Sequence, residues 1–405
     1  MTGRTVLRIT GDTPRRRGED RGRRAAAAIA RAWRVYDELF ATVAAGSAGS
    51  AGSAGSAGSA GSAGSAGSAG SAGSAGSAGS AGISGVSGVS VAARPLDVRA
   101  LALRTVEATR AWAPELVEEM EGVAEGAGLP FWTVVALNAR TEILAEAGAP
   151  RAGECSTLVR TGLRTTGGQC WDWHEELAGA WHLQTVTGDA QGFAGITEHG
   201  ILAKIGVNEA GVGVLFNILG HAEDAATGVP VHLVARQVLG TAGSFAEAVG
   251  ILTGAPVSAS TVITVVTADR AASVELAPAG SAVVEPDERG WLTRTNHFLD
   301  PSLAAGELRG RREPETYDRH RLLTRRVLGH PGPLDPEALV KLLAAHRDDG
   351  AEVCCHAPAD GTLGSRWATL ATVAVAPAER RLLVHDGGPC TAGPSTWTPL
   401  TAPAR

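Results

Sequence analysis

Residues Gly153-Glu154-Cys155-Ser156-Thr157 form the most informative segment of this 405-residue chain. The segment lies between two others, which read Asn138-Ala139-Arg140-Thr141-Glu142-Ile143 and Gly168-Gln169-Cys170-Trp171-Asp172-Trp173. On its own, a free cysteine in a short motif is most often a small buried thiol. Further motifs along the chain make a functional role for Cys155 the stronger interpretation.

These further motifs lie on both sides of the cysteine. Before it they are Pro114-Glu115-Leu116, Glu118-Glu119-Met120-Glu121-Gly122 and Ala124-Glu125-Gly126-Ala127-Gly128, and after it they are Asn208-Glu209-Ala210-Gly211-Val212 with Asn217, Gly228-Val229-Pro230 with Arg236, and Thr295-Asn296-His297-Phe298. Taken together, the segments resemble the penicillin acyltransferase family, the acyl-coenzyme A:6-aminopenicillanic acid acyltransferases, which are self-cleaving N-terminal nucleophile hydrolases. The resemblance covers most of the chain apart from a low-complexity insert.

The resemblance implies an α+β fold, the four-layer αββα sandwich of N-terminal nucleophile hydrolases, with a helical N-terminal propeptide. It also implies that the chain cuts itself between Glu154 and Cys155 and that the propeptide stays bound as a heterodimer. The domain organisation that follows has four parts. These are residues 1–45 and 83–154 as the two parts of the helical propeptide, 46–82 as a flexible Gly/Ser/Ala insert, and 155–405 as the catalytic domain.

A cysteine made N-terminal carries an amine beside its thiol. Their reference pKa values are about 7.7 to 8.0 and about 8.5, so both groups titrate near neutrality. The amine can therefore accept the thiol proton, as a paired base does in other covalent mechanisms. We expect Cys155 to break or exchange a linear amide bond through an acyl-thioester.

The resemblance also assigns supporting residues. Asp172, in its Trp-Asp-Trp context, is expected to orient the Cys155 amine, and the alternative is a surface or capping aspartate. Asn296 is expected to stabilise the oxyanion with its side-chain amide, and the alternative is a turn or cap. Arg366 is the candidate for the family's active-site arginine, although no tight motif places it.

Two departures from the family pattern concern the site directly. Glu154 replaces the glycine that precedes the nucleophile in the fungal pattern, which makes the scissile peptide bulkier and charged. Cys170 stands where the family commonly has asparagine, which exchanges an amide for a weak donor that could pair with Cys155 on oxidation. Neither departure removes the nucleophile or its base.

Several functions remain open at this point. With water as acceptor the enzyme is an amidase, and with an amine acceptor and an acyl-coenzyme A donor it is an acyltransferase acting on an amine such as a β-lactam nucleus. The substrate is a small-molecule amide or acyl-thioester. An uncut, non-enzymatic binding or scaffold protein is an alternative, and so is a papain-like hydrolase in which His297 or His356 is the base.

Composition excludes some classes of partner. The formal net charge is −6 and the sequence pI is about 6.0, which gives no overall field for nucleic acid or an anionic membrane. No stretch approaches the 18 or so apolar residues of a spanning helix, and the N-terminus lacks the apolar segment of a signal peptide. The sequence therefore predicts a cytoplasmic protein without membrane or nucleic-acid partners.

The five cysteines give neither a disulfide framework nor regular zinc spacing. The nearest approach to a metal cluster is Cys354-Cys355-His356 with His385 and Cys390, which lacks paired ligand spacing. The family also uses no metal. We therefore expect reduced thiols, no metal and no other cofactor.

The remaining predictions come from a low-complexity repeat and from the periodicity of apolar residues. Gly46 to Gly82 repeats Gly, Ser and Ala with a period of three, which predicts a flexible tether rather than a collagen helix, because proline is missing. An apolar stripe predicts a helix through Ile29, Trp33, Tyr36, Phe40 and Val43, and others are expected from Pro114 and Pro130. The remaining predictions are strands over 200–207, 212–218, 262–267, 273–276, 368–375 and 381–385, and helices over 230–239, 244–252 and 336–345.

Overall fold

A computed structural model describes residues 4–53, 96–148, 155–330 and 334–404. Residues 54–82 of the predicted insert, 83–95 of the second propeptide part and 149–154, which include Glu154, lie outside the described residues. The first helix continues to Ser53, so the beginning of the repeat, expected to be a coil from Gly46, is helical. The remaining repeats are not described.

Strands of the described residues form two sheets. The larger has the order β1-β4-β5-β6-β7-β8-β9-β10, and the smaller has the order β11-β2-β3-β12-β13-β14. All pairings are antiparallel except β1 with β4. The strands are β1 Val6–Ile9, β2 Ser156–Arg160, β3 Thr166–His174, β4 Trp181–Val186, β5 Phe193–Glu198, β6 Ile205–Asn208, β7 Gly213–Ile218, β8 Thr261–Val266, β9 Ala271–Ala277, β10 Gly280–Val284, β11 Trp291–Arg294, β12 Trp367–Ala376, β13 Arg381–Asp386 and β14 Thr398–Thr401.

Helices precede, separate and cover these sheets. They are α1 Pro14–Ser53, α2 Val98–Trp112, α3 Pro114–Ala127, α4 Phe131–Asn138, α5 Arg140–Glu146, α6 Val231–Thr241, α7 Phe245–Thr253, α8 Pro301–Ala304, α9 Arg309–Arg312, α10 Glu315–Leu328 and α11 Pro336–Lys341. None of the helices described here is long and apolar enough to cross a membrane.

Two neighbouring glycines of β3 show how the layers stack. A Cβ on Gly167 would meet Leu215 of β7, in the larger sheet, at 2.9 Å. A Cβ on Gly168, which points to the other face, would meet Leu339 and Val340 of α11. One face of the smaller sheet therefore packs on the larger sheet and the other on helices, while α6 and α7 cover the larger sheet. This arrangement confirms the expected αββα sandwich.

Helices α1 and α3 pack with their backbones in close approach. A Cβ on Gly18 would lie 2.0 Å from the Glu119 carbonyl oxygen, and one on Gly122 would lie 2.1 Å from that of Arg15. Gly22 and Gly126 repeat the contact four residues on, so each helix presents a Gly-xxx-Gly stripe to the other. Only glycine permits this separation, because any Cβ would overlap the facing backbone.

The N-terminal segment also contributes to the sheet. Strand β1 pairs in parallel with β4 and extends the larger sheet by one strand. The sequence analysis expected only helices here, and one helix, α1, does cover Pro14–Ser53. Residues before Cys155 are thus built into the sheet as well as packed on it.

Most predicted elements are present, with shifted ends. Helix α3 begins at Pro114 and ends at Gly128, which has φ 66°, as the sequence suggests. The strand expected from Gly200 begins only at Ile205, and the helix expected after Pro130 is interrupted at Ala139 into α4 and α5. The stripe of α1 faces inward, with Ile29, Tyr36 and Phe40 buried.

Candidate active site

Cys155 lies immediately before β2, in the middle of the smaller sheet. Strand β2 pairs with β3 on one side and with β11 on the other. On the β11 side Thr157 pairs with Arg294, where the ladder ends, and Asn296 follows two residues later in a bend. The thiol-bearing residue is buried, with 4% of its surface exposed. Three separate stretches of sequence therefore meet at this residue.

Two side chains hold the backbone carbonyl of Cys155. The Nδ2 of Asn217, on β7, donates a hydrogen bond to this oxygen at 2.9 Å. The Nη1 of Arg319, on α10, donates to the same oxygen at 3.3 Å and to the Ser156 hydroxyl at 2.9 Å. Asn217 is itself fixed, since its Oδ1 accepts a hydrogen bond from the Thr157 hydroxyl at 2.8 Å. Cys155 is thus anchored from both sheets and from the outer helix layer.

Asp172 lies on β3 beside the cysteine and is buried, with 1% exposed. Burial, followed by the Asp172 carboxylate, raises the pKa of the Cys155 thiol. The Lys204 ammonium, the Asp172 backbone N–H and Arg309 act in the opposite direction. The thiol of the continuous chain is therefore protonated near neutrality and needs a base to react.

Asn296 follows β11 and is completely buried. Its Oδ1 accepts a hydrogen bond from Arg319 Nη2 at 3.2 Å, and its Nδ2 donates to the Ile218 carbonyl at 2.8 Å. Its backbone N–H donates to the Thr316 hydroxyl at 2.8 Å. One arginine therefore links Asn296 to the Cys155 carbonyl, and both Arg319 and Thr316 belong to α10.

The structure places Arg366, the predicted active-site arginine, next to Glu175. Its guanidinium forms an ion pair with Glu175, and about a third of its side chain is exposed. Arg319, in contrast, is 1% exposed and contacts Cys155 directly. An active-site role for Arg366 stays a prediction, while Arg319 is a functional candidate that the sequence analysis did not find.

A buried polar network adjoins the cysteine. Glu198 accepts hydrogen bonds from Arg140 Nη2 at 2.9 Å and Lys204 Nζ at 3.1 Å, and also from the Tyr36 hydroxyl. The Lys204 ammonium lies 3.9 Å from the centre of the Trp171 ring. Desolvation lowers the pKa of Lys204 to about 8, although Glu198 opposes this shift. Since Tyr36 and Arg140 precede Cys155, the network joins the N-terminal region to the site.

Neither histidine that was considered as a papain-like base is arranged as one. The Nδ1 of His297 lies 3.1 Å from the Thr295 hydroxyl and 3.2 Å from that of Thr316. Desolvation lowers the pKa of His297 to about 3. The Nε2 of His356 lies within 3.6 Å of the thiols of Cys354 and Cys390.

Cys170 lies on β3, and its side chain packs on the opposite face of the smaller sheet from that of Cys155. Cys155 belongs to the main core, whereas Cys170 belongs to the cluster formed with α10 and α11. Burial raises the pKa of Cys170 well above its usual range. Both cysteines are free thiols in the structure.

A cavity of about 560 Å³ is lined by residues of α10, of the stretch 347–358 and of the start of β12. Its walls include Glu315 and Asp318 of α10, the helix that carries Arg319, and Trp367 at the start of β12. Trp367 packs edge-on against Trp173, two residues from Trp171. Cys355 and His356 complete this part of the wall. The lining is mostly polar and charged, with one large aromatic ring, and the cavity is a candidate for the substrate pocket because α10 forms part of it.

Two family models match the sequence. The model for acyl-coenzyme A:6-aminopenicillanic acid acyl-transferase matches residues 160–389, beginning five residues after Cys155. The collagen triple helix repeat model matches residues 43–93, where glycine recurs at every third position. The first match covers more than half of the chain, and the second covers the insert region.

A related protein shows the same similarity. The chain is 30% identical over 280 residues to the acyl-coenzyme A:6-aminopenicillanic-acid-acyltransferase 40 kDa form of Emericella nidulans, covering 68% of this chain and 76% of that protein.

Solved structures give weaker likenesses. A Caenorhabditis elegans N-acylethanolamine-hydrolyzing acid amidase ortholog has a TM-score of 0.40 and 15% identity, covering 55% of this chain and 93% of that one. Penicillin V acylase from Agrobacterium tumefaciens has a TM-score of 0.39 and 13% identity, with coverages of 57% and 83%. A variant of conjugated bile acid hydrolase from Clostridium perfringens has a TM-score of 0.42 and 12% identity, covering 61% of this chain and 92% of that one.

Proposed function

Because this chain belongs to the acyl-coenzyme A:6-aminopenicillanic acid acyltransferase family, whose members act on amide bonds, we propose that Cys155 is its self-generated N-terminal nucleophile. The observation that carries the proposal is the position of Cys155, whose carbonyl is held by Asn217 and Arg319 while Asp172 lies beside its thiol. A structural thiol needs no such arrangement, since burial alone stabilises it.

Maturation would proceed by an acyl shift within the chain. The Cys155 sulfur attacks the Glu154 carbonyl carbon, the bond from that carbon to the Cys155 nitrogen breaks, and the thiol proton ends on the nitrogen. Water then hydrolyses the thioester and leaves Glu154 as a new carboxyl terminus. The product is a Cys155 with a free amine, which is the base that the buried thiol needs.

Turnover would use the same two atoms. The amine takes the thiol proton, the sulfur attacks the substrate carbonyl, and the proton then passes to the departing amine. We propose that Asp172 orients the Cys155 amine and that the Asn296 amide stabilises the oxyanion. Arg319 would act as a positioning residue, because it fixes both the Cys155 carbonyl and the Asn296 side chain. Arg366 would contribute from the start of β12.

The fate of the acyl group defines two candidate reactions. Water as acceptor gives an amidohydrolase for linear amides, which is our first proposal. An amine as acceptor gives an acyltransferase using acyl-coenzyme A, which the name of the relative from Emericella nidulans favours. We propose an apolar acyl group in both cases, because ligand pockets are generally lined by hydrophobic and aromatic side chains.

The N-terminal fragment would stay bound after cleavage. Glu119 of α3 forms a buried ion pair with Arg236 of α6 across the boundary, while Arg17 and Arg21 of α1 pair with Glu119 within the N-terminal fragment. Arg140 and Tyr36 bind Glu198 across the same boundary. These contacts, added to the β1–β4 pairing, support a heterodimer of residues 1–154 and 155–405.

Denatured mass measurement with N-terminal sequencing tests the maturation step. We expect two fragments, the larger beginning at Cys155, and an intact chain for Cys155→Ala. The variant Cys170→Ala is the matched control and should still be cut. An intact wild-type chain after prolonged incubation at neutral pH would overturn self-processing and favour the uncut binding protein or the papain-like hydrolase.

A second experiment separates the reactions. Purified protein is incubated with N-acyl amides or with acyl-coenzyme A, with and without 6-aminopenicillanic acid as acceptor, and the released amine, free thiol and new amide are measured. Amide cleavage without acceptor establishes hydrolysis, whereas consumption of acyl-coenzyme A that requires the acceptor establishes transfer. The intact mass of the mature 155–405 fragment should show an acyl adduct, and the uncut Cys155→Ala chain should show none.

A further inference from the structure

Four potential metal ligands outside the catalytic region converge on one point. His346, Cys354, His356 and Cys390 each offer one donor atom, and these atoms all lie within 4.8 Å of one another. They come from three segments, which are the turn after α11, the stretch that precedes β12, and the 3₁₀ turn Pro389–Thr391 after β13. The described part of the chain shows no disulfide among them.

The distances between these atoms approach those of a tetrahedral metal site. Zinc binds thiolate at about 2.3 Å and imidazole at about 2.0 to 2.1 Å, so the edges of the tetrahedron are about 3.8 Å for S–S, 3.6 Å for S–N and 3.3 Å for N–N. The two sulfurs lie 3.4 Å apart and the two Nε2 atoms 3.2 Å apart. His356 Nε2 lies 3.6 Å from Cys354 Sγ and 3.5 Å from Cys390 Sγ.

The surrounding backbone supports this convergence. A Cβ on Gly388 would lie 2.5 Å from Cys354 Sγ, so only glycine allows the two thiols to approach there. The backbone N–H of Cys354 donates to the Ala345 carbonyl at 2.8 Å, which brings the thiol close to His346. Cys355 N–H donates to the Thr369 hydroxyl at 2.9 Å, which ties the segment to β12.

Two neighbouring side chains, those of Cys355 and His385, make other contacts and do not belong to the four-ligand cluster. The Cys355 thiol points to the Trp367 carbonyl, at 3.3 Å. His385 forms a hydrogen bond of 2.9 Å with the Thr391 hydroxyl. Both had been counted in the sequence cluster, whereas His346 had not. The sequence analysis dismissed a metal because it lacked paired spacing, but the fold brings the ligands together from separate segments.

We propose that His346, Cys354, His356 and Cys390 bind one structural zinc ion. Two thiolates and two imidazoles in tetrahedral array are the ligand set that selects zinc. Four protein ligands leave no open position, so the site stabilises structure and does not activate water. Binding releases the two thiol protons, so its affinity rises with pH.

The ion would fasten one side of the candidate substrate cavity. It would join the segment 354–356, which forms part of the cavity wall, to the turn after β13. Through Thr369, which pairs with Asp172 in the sheet, that segment is also connected to the catalytic strand β3. Loss of the metal would loosen the wall that carries Cys355 and His356.

Metal content of the whole protein tests the proposal. The protein is purified without a histidine tag, under a reductant that does not bind metals, and analysed by inductively coupled plasma mass spectrometry. We expect about one zinc per chain, as a closed four-ligand site requires. The single variants His346→Ala, His356→Ala and Cys390→Ser should lose it, whereas the matched controls Cys355→Ser and His385→Ala should keep it.

Cobalt substitution gives a second readout that does not depend on activity. Chelator-treated protein loaded with Co²⁺ should show the visible bands of a tetrahedral thiolate site, and Zn²⁺ should displace them. Circular dichroism confirms that each variant is folded. Wild-type protein that stays free of metal and gives no such bands would overturn the proposal, as would a Cys354–Cys390 disulfide under reducing conditions. Retention of zinc by His346→Ala and His356→Ala together would also overturn it.

Discussion

The guanidinium of Arg319 donates a hydrogen bond to the backbone carbonyl of Cys155, 164 positions away in the chain, with Nη1 and O separated by 3.3 Å. The same guanidinium donates to Asn296 Oδ1 at 3.2 Å, so one side chain positions both the candidate nucleophile and the candidate oxyanion donor. Its planar group makes these contacts in different directions, which a lysine ammonium on a flexible stem does not reproduce.

Replacing Arg319 with lysine should therefore lower activity more than binding. We expect kcat to fall on the order of 100-fold, because a displacement of about 1 Å at the reacting atoms has that effect, while KM changes little. The solvent-exposed Arg325→Lys, on the same helix, is the matched control and should retain most activity. Equal losses in the two variants would contradict the positioning role of Arg319.

Glu119 should be essential to the stability of the uncut chain. Its carboxylate lies 2.6 Å from Arg236 and 3.6 Å from Arg21, and removing it leaves buried cations without their partner. Glu119→Ala is expected to lower the free energy of unfolding by about 3 to 5 kcal/mol. Glu121→Ala removes a solvent-exposed partner of Arg15 and should cost about 1 kcal/mol or less. Urea denaturation compares them, and similar midpoints would refute the argument.

Alanine should have opposite effects at two helical glycines. In Gly122→Ala the new methyl group meets the Arg15 carbonyl at 2.1 Å, so α1 and α3 must separate, and overpacking of this kind costs about 1 to 3 kcal/mol. Gly250→Ala in α7 meets nothing within 4 Å and should stabilise the helix by about 1 kcal/mol. Thermal unfolding measures both changes. A rise in Tm for Gly122→Ala would show that the helices are not in this contact.

Acid should destabilise the protein through its buried histidines. Desolvation lowers the pKa of His174 and of His297 to about 3, whereas an unfolded histidine titrates near 6.5. Between these values the unfolded chain binds the extra proton, so this stability is complete above pH 6.5 and is lost as pH falls. Each group should cost about 1 kcal/mol between pH 7 and pH 5.5.

Thermal unfolding across this pH range measures the effect. His297→Asn should reduce the slope of stability against pH relative to the wild-type protein. An unchanged slope for His297→Asn would exclude this residue as a source of the pH dependence.

The sequence located the candidate site residues better than the residues that position them. Cys155, Asp172 and Asn296 stand in recognisable motifs, and strands β2, β3 and β11, which respectively follow, contain and precede them, are neighbours in one sheet. Arg319 stands in the helix Glu315–Leu328, among several other arginines, and no local pattern separates it from a surface residue. Its role depends on the contact of α10 with the sheet, which is a property of the tertiary fold.

Two other features could not be predicted, because they depend on contacts between residues that are far apart in the sequence. Strand β1 has only four residues, and its partner β4 lies more than 170 positions along the chain. The cluster of His346, Cys354, His356 and Cys390 has irregular spacing because three loops supply it. Periodicity identifies a helix or a strand from its own residues, and it therefore predicted α3, α6, β8 and β12. It could not predict which elements pair when they are separated by an entire domain.

The parallel pairing of Val6–Ile9 with β4 has a consequence for producing the catalytic half alone. Without the N-terminal residues, β4 becomes the border of the larger sheet and presents a row of unpaired amides and carbonyls to solvent. Such a border is a template for association with other chains. A recombinant 155–405 fragment would therefore aggregate even with a correct N-terminal cysteine, and co-expression with residues 1–154 is the route to an isolated mature enzyme.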